Sequence, residues 1–228
     1  QSLIIELKNE CLRALEGIHE NVICKPLPKI SLPEEISFTP WRKMSLWQYP
    51  LYDLKGDVLF LDLDLVITGN LDHFFDFRPG YYCVIENWTQ IGKGIGNTSC
   101  FRFPVKKHKY IFEEFEKNSN LLWRKYNIEQ VYISKTIKEQ NFWPQNWCKS
   151  FKHNLLPKWP LRIWRPAKLL NDTSIVAFTG KPDPEDHLQH TGWCLINGVQ
   201  SCTQSRSTQG PIRRLGASIS NNSDCHGS

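Results

Sequence analysis

The longest apolar stretch of the chain, Asp57-Val-Leu-Phe-Leu-Asp-Leu-Asp-Leu-Val-Ile, is preceded by Lys55-Gly56 and followed by Gly69-Asn70. Because it shows no polar alternation, it predicts a strand over 57–67 that is covered on both faces and lies centrally in a sheet. Upstream, Ile4, Leu7, Cys11 and Leu15 recur at helical spacing and stop at Gly17, which predicts an amphipathic helix over 3–16. Four prolines between Lys25 and Pro40 exclude a helix there and predict an extended connection. Downstream, Tyr81 to Ile85 and Ser99 to Phe103 predict two strands, separated by the turn-rich Gly92-Lys-Gly-Ile-Gly-Asn. Ile111, Phe112 and Phe115 predict a buried helix face over 107–117. Ile128, Val131, Tyr132 and Ile137 predict a second helix, with Asn127 as its cap. Residues 142–166 hold four of the nine tryptophans among several prolines and predict an aromatic-rich loop layer, and Ser174 to Phe178 predicts a last short strand.

Strands and helices alternate, so the expected class is α/β, with a mixed, mostly parallel central sheet in one domain over 1–200. From about Thr203 hydrophobic periodicity is lost in favour of Ser, Thr, Gln, Asn and Gly. This predicts a polar, disordered tail over 201–228. The length of 228 residues suffices for a real core. No run of about 18 apolar residues is present to span a bilayer, and the first residues show no basic flank, apolar core and small-residue cleavage site. The expectation is therefore a cytoplasmic chain without an integral membrane segment, and the sequons at Asn87, Asn97, Asn171 and Asn221 carry little weight.

Twenty-eight Lys and Arg oppose 23 Asp and Glu, a net charge of +5 that forms no Lys/Arg run. That argues against a dedicated nucleic-acid binder and is compatible with a phosphate-bearing substrate. Eight cysteines, at 11, 24, 83, 100, 148, 194, 202 and 225, include no CxxC pair. They are read as reduced, partly buried thiols, without structural zinc.

The chemistry centres on Asp62 and Asp64. Two carboxylates at i and i+2 of an apolar strand share a face and need a partner, because an unpaired buried charge costs several kcal/mol or more. A divalent cation satisfies both, and ligation by oxygen alone favours Mg or Mn over zinc. Solvated aspartates at a strand end are the plainer alternative. The Gly92–Gly96 segment lacks Walker spacing and leads into a strand, so it is read as a turn. Trp143, Trp147, Trp159 and Trp164 suit stacking on an acceptor sugar and core packing equally.

The segment from Lys55 to Asp72 resembles the metal-binding DxD region of GT-A glycosyltransferases, especially the family-8-like group. Four further blocks resemble that group in the same order. Trp41-Arg-Lys-Met-Ser-Leu-Trp is similar to the segment whose lysine touches the donor, and Gly96-Asn-Thr-Ser-Cys-Phe-Arg-Phe to the strand lining the donor sugar. Ile128-Glu-Gln-Val-Tyr-Ile-Ser is similar to a helix start with an acidic residue and glutamine, and Ile175-Val-Ala-Phe-Thr-Gly-Lys-Pro to the C-terminal F-H-G-K-P loop. The resemblance spans about residues 22–193. It implies a GT-A-like fold and transfer of a sugar from a nucleoside-diphosphate donor to a carbohydrate or glycoconjugate acceptor, with Mn2+ or Mg2+ as cofactor. Asp62 and Asp64 would be metal and nucleotide-sugar ligands. Lys43, Asn97, Glu129 and Gln130 would be donor-side contacts, with Glu129 and Gln130 closest to the chemistry. Gly180 and Lys181 would meet the pyrophosphate. In such a site a divalent ion and a lysine stand where the leaving nucleoside diphosphate gains charge.

Two departures are expected to weaken binding. Thr179 stands where the group has a metal-ligating histidine, with His187 and His190 nearby, and nothing in residues 1–21 supplies the group's N-terminal base-binding strand. Two rival readings follow. One is a degenerate, non-catalytic glycosyltransferase remnant or carbohydrate-binding protein. The other is a haloacid-dehalogenase-type phosphohydrolase, with Asp62 as nucleophile and Asp64 as acid/base in Asp62-Leu-Asp-Leu-Val66 and Asp183 and Asp186 as a later acidic pair.

Overall fold

The computed structural model describes residues 2–5 and 25–180. Its larger sheet has five strands in the order β1-β2-β5-β4-β6. These are β1 (Ser2–Ile5), β2 (Asp57–Leu61), β4 (Cys83–Glu86), β5 (Gly96–Pro104) and β6 (Asn141–Phe142). β1 and β6 pair in parallel with β2 and β4, whereas β5 runs antiparallel to both β2 and β4. The sheet is mixed as expected, but parallel pairings do not predominate. The hairpin from β4 into β5 inserts an antiparallel strand at the centre.

The apolar run at Asp57 is divided. β2 ends at Leu61, and after a turn the chain enters β3 (Leu65–Ile67), which belongs to a second sheet of order β3-β8-β7 with β8 (Ile175–Ala177) and β7 (Cys148–Ser150). Asp62 and Asp64 therefore lie in the turn between two sheets and not within one strand, and the shared-face argument for them does not apply. The physical reason is the one that drew attention to them: a strand buried on both faces has no place for two carboxylates, so the chain leaves the sheet where they begin.

Up to that turn the two-sided burial of β2 holds. Val58 and Phe60 face a core formed with the 3-10 helix Pro40–Trp47, α2 (Tyr110–Tyr126) and α3 (Glu129–Thr136), while Leu59 and Leu61 face Phe74 of α1 (Asp72–Asp76), Trp143, Ile175 and Ala177. β5 alternates in the same way, with Phe101 and Phe103 on the first face and Cys100 on the second. Gly96, at the start of β5, is required by packing: a Cβ there would stand 2.6 Å from Val84 Cγ1. Gly96→Ala is expected to destabilise the fold by about 1–3 kcal/mol, read as a lower urea midpoint at unchanged m-value.

Three helical expectations are corrected. Ser2–Ile5 forms β1, where a helix was expected; this also supplies the N-terminal strand that the sequence did not disclose. The rest of that segment lies outside the described residues. α2 runs to Tyr126, nine residues beyond the expected end, because the Asn118-Ser-Asn stretch is absorbed as a local departure at Asn118 (φ −131°, ψ 25°) rather than a stop. Asn127 does not cap α3; it ends α2 at φ 62°, a left-handed position that asparagine tolerates. The proline-rich connection is irregular through Pro33 and then makes a 3-10 turn at Glu34–Ile36. The tail over 201–228, with Cys194, Cys202 and Cys225, lies outside the described residues, as do Cys11 and Cys24. Cys83, Cys100 and Cys148 are buried free thiols, and burial pushes the Cys83 thiol up to about 11.

His108 is buried between Trp47, Tyr82 and Tyr110, with Nδ1 3.2 Å from the Tyr110 hydroxyl. Burial, and secondarily the Lys107 charge, lowers its pKa to about 4 from an ordinary 6.5. The unfolded chain therefore takes up this proton before the folded one does. The associated stability is complete above pH 6.5 and is lost as pH falls toward 4. The unfolding free energy from urea titration should decline between pH 6.5 and 4.5 by about 2–3 kcal/mol for this group, and His108→Leu should flatten that part of the profile.

Candidate functional site

β1 and β2 end side by side, Ile5 opposite Leu61, and the Asp62–Asp64 turn begins at that edge. It is held from both sheets. The Asp62 amide donates to the Ser99 carbonyl of β5 at 2.8 Å, and the Phe178 amide, just past β8, donates to the Asp64 carbonyl at 2.9 Å. The turn is thereby fixed in space although it has no regular structure of its own.

Lys43, from the 3-10 helix Pro40–Trp47, reaches the turn from below the sheet. Its Nζ donates to Asp62 Oδ2 at 2.6 Å and to the Thr98 carbonyl at 3.1 Å, over the Phe60 ring at 5.5 Å. The helix that delivers it is anchored by Trp41, Met44 and Trp47, all within the core, so the lysine is positioned by packing. The pair is largely withdrawn from solvent, with side-chain exposures of 9% for Lys43 and 15% for Asp62. Removing the carboxylate would leave the Lys43 ammonium poorly compensated.

Thr98 links this pair to α3. Its hydroxyl donates to Glu129 Oε1 at 2.6 Å, with both groups buried. One continuous set of contacts thus runs Asp62–Lys43–Thr98–Glu129 and joins the turn, the 3-10 helix, β5 and α3. Thr98 was not singled out by sequence reasoning. The signal was its place within the block Gly96-Asn-Thr-Ser, where Asn97 drew the attention. Asn97 is buried and its Oδ1 accepts from the Ser99 amide at 3.0 Å, which shapes β5 beside the turn. Glu129 is buried at the first turn of α3, and Gln130, beside it, is half-buried.

At the far side, Thr179 follows Phe178, and its Oγ1 lies 3.3 Å from Ser150 Oγ of β7. Gly180 is exposed with φ +70°, a conformation that other residues adopt only with strain. Lys181, His187, His190, Asp183 and Asp186 lie outside the described residues.

Among the described residues no group of three His, Cys, Asp or Glu is gathered to hold a metal ion. Among the described residues, two carboxylates on one short, doubly tethered turn, one of them already carrying a lysine, form no closed cage of the kind that holds zinc. They do fit a hard divalent cation of the Mg2+ or Mn2+ type, which commonly takes one or two carboxylates from the protein and completes its shell with phosphate oxygens and water.

No protein-family model matches the chain, and no curated protein matches it in sequence. Solved structures do match in fold. An active-site glutamine-to-glutamate variant of LgtC superposes with a TM-score of 0.50 at 16% identity, over 82% of this chain and 72% of LgtC. The galactosyltransferase LgtC in complex with donor and acceptor sugar analogues matches with the same TM-score and coverage at 14% identity. The glycosyltransferase GlyE of Streptococcus pneumoniae TIGR4 stands at a TM-score of 0.40 and 18% identity, over 61% of this chain and 38% of GlyE. The fold of this chain is thus GT-A-like, mixed α/β. Among the described residues no helix is long and apolar enough to cross a membrane.

Proposed function

We propose that the chain is a metal-dependent glycosyltransferase that binds a nucleoside-diphosphate sugar at the Asp62–Asp64 turn and transfers the sugar to a carbohydrate or glycoconjugate acceptor. The observation that carries this reading is the turn itself: two carboxylates between two sheets at the edge where β1 and β2 end, with the buried Lys43 ammonium on Asp62. A fold shared with a transferase solved with donor and acceptor sugar analogues supports it.

The residues have separable roles in this reading. Asp62 and Asp64 hold Mn2+ or Mg2+, which when bound supplies positive charge against the diphosphate. Lys43 holds Asp62 in register and adds a cation beside it. Glu129 fixes the start of α3 through Thr98, and that presents Gln130. Gly180 and Lys181 are assigned to the pyrophosphate on the resemblance of the Ile175–Pro182 block alone. The test is calorimetric titration with UDP and GDP, with and without Mn2+: binding that requires the metal supports the reading, and metal-independent binding or none opposes it.

Gln130 is a neutral amide and cannot take a proton as a general base; its role is to orient the donor sugar by hydrogen bonding. An active-site glutamine is also the residue varied in LgtC. Gln130→Ala is expected to lower turnover by roughly tenfold or more, with nucleotide affinity changed much less, measured by steady-state release of nucleoside diphosphate beside calorimetry. Equal losses in both would make Gln130 an ordinary helix-start residue. The non-catalytic reading is favoured by one observation, the Thr179 hydroxyl standing on Ser150 where the related group carries an imidazole. Metal-dependent nucleotide binding without turnover on any acceptor would select that reading.

A further inference from the structure

The segment between Phe151 and Asn171 is a loop pinned at both ends and exposed in its middle. Phe151 and Leu155, in a single π-helical turn, and Ala167 pack with Val176 and Phe178 in a separate core cluster, against which Leu156 and Leu169 also rest. Between these anchors the chain makes a hydrogen-bonded turn: the Ile163 amide donates to the Pro160 carbonyl, and the Trp164 and Arg165 amides both donate to the Leu161 carbonyl. In such a turn residues three apart share a face, so Leu161 and Trp164 project together.

What the turn displays is unlike the rest of the surface. Trp159 is 69% exposed, Ile163 62%, Trp164 73% and Leu161 47%. Isolated exposed apolar residues are ordinary, whereas four within six positions of one loop concentrate apolar surface there. Lys158, Arg165 and Lys168 are exposed among them. The sequence is also free of acid here: between Glu139 and Asp172 there are six Lys and Arg and no Asp or Glu. The chain's net charge is +5, so this stretch carries the whole positive excess, and the remainder is close to neutral. The excess is not gathered into a consecutive run, but it is gathered into one acid-free segment.

We infer that this loop docks the protein on the surface of an anionic phospholipid bilayer. The chemistry selects that occupant over others. Tryptophan settles at the boundary between headgroups and acyl chains, aliphatic tips such as Leu161 and Ile163 enter the apolar edge, and interleaved cations meet acidic headgroups. A nucleic acid offers the cations a partner but has no apolar phase for Leu161 and Ile163. A neutral glycan offers the tryptophans a stacking face and leaves the cations without a counter-charge. The anchors also relate the loop to the candidate site, because Phe178, which shares its cluster, donates to the Asp64 carbonyl. Docking rests on the loop's own exposed residues and does not depend on the proposed sugar transfer, although it would hold the Asp62–Asp64 turn on the membrane-bound protein.

The test is co-sedimentation of the full chain with vesicles of phosphatidylcholine alone and of phosphatidylcholine with an equal part of phosphatidylserine. The expected result is sedimentation with the anionic vesicles and not the neutral ones, with a blue shift of tryptophan emission and loss of binding at high salt. The variant W159S/W164S and the charge-reversed variant K158E/R165E/K168E should each reduce partitioning by about tenfold or more. All five positions are exposed, and matching thermal melts will show that the fold is kept. Equal sedimentation with both vesicle types, none with either, or undiminished binding by both variants overturns the inference. So does a loss of RNA or oligosaccharide binding in W159S/W164S while vesicle binding is unchanged.

Discussion

Asp64→Asn should abolish metal-dependent nucleotide binding and leave the fold intact. The substitution keeps the size of the side chain, removes its charge and exchanges one acceptor oxygen for an NH2 group. The backbone carbonyl of residue 64, which accepts from the Phe178 amide, is untouched, so the turn keeps its tether to β8. With one of two carboxylates neutralised, a hard cation loses half of the protein charge that holds it. The affinity for UDP or GDP in the presence of Mn2+ should fall by roughly a hundredfold or more, while thermal midpoints without ligand should move little. Calorimetry on both chains reads this directly. The phosphohydrolase alternative makes a different statement about the neighbouring residue: Asp62 would become covalently phosphorylated. Trapping an aspartyl-phosphate there would overturn the transferase reading.

The largest effect on stability is expected at Arg102, a residue with no part in the proposed chemistry. It sits in β5 with no exposed surface. One guanidinium nitrogen donates to the Phe74 and Phe75 carbonyls, and the other to the Arg78 and Tyr81 carbonyls. Its Nε lies 3.6 Å from Asp57, whose carboxylate also accepts from the Gly80 amide. One side chain thus satisfies four carbonyls along the segment that includes α1 and its exit, and neutralises a partly buried carboxylate. Arg102→Met should cost about 3–5 kcal/mol, a large share of a typical domain stability of about 5–15 kcal/mol. Arg102→Lys should recover only a fraction, because a single ammonium lacks the planar fork that reaches carbonyls on two sides. Guanidinium or urea denaturation of the three chains provides the comparison.

How far the sequence discloses this protein follows from which of its signals are local. The two faces of β2, the β4–β5 hairpin, the buried face of α2 and the strand at Ile175 are each written in a short run of side chains, and each stands close to where the pattern puts it. The end of β2 is not local in that sense. Leu61 and Leu65 look alike in sequence, and what separates them is that β5 continues to pair with one while β8 takes the other. Likewise Ser2–Ile5 becomes a strand because Val58 to Leu61 is beside it, which no helical period among four residues can reveal. The candidate site shows the same division. Asp62, Asp64 and Lys43 were legible as residue types in recognisable blocks. The contact of Lys43 with Asp62, and the link from Thr98 to Glu129, join positions 19 and 31 apart and exist only once the sheet is assembled. Arg102 was legible as an oddity, one cation inside Cys-Phe-Arg-Phe, but its partners lie some 20 to 45 residues away in sequence.

The doubly tethered turn has a consequence for motion. β3, β7 and β8 are three residues long each, yet β8 is buried throughout, with Ile175 and Ala177 in the same core cluster as Leu59 and Leu61. Asp64 is hung from that small sheet through the Phe178 amide, whereas Asp62 is hung from the larger one through Ser99. The small sheet therefore cannot open without uncovering the face of β2 that carries Leu59 and Leu61, and the two tethers of the turn hold or fail together. Solvent exchange at the Phe178 amide should therefore report the opening of this shared core, and a ligand held at both aspartates would slow that exchange further.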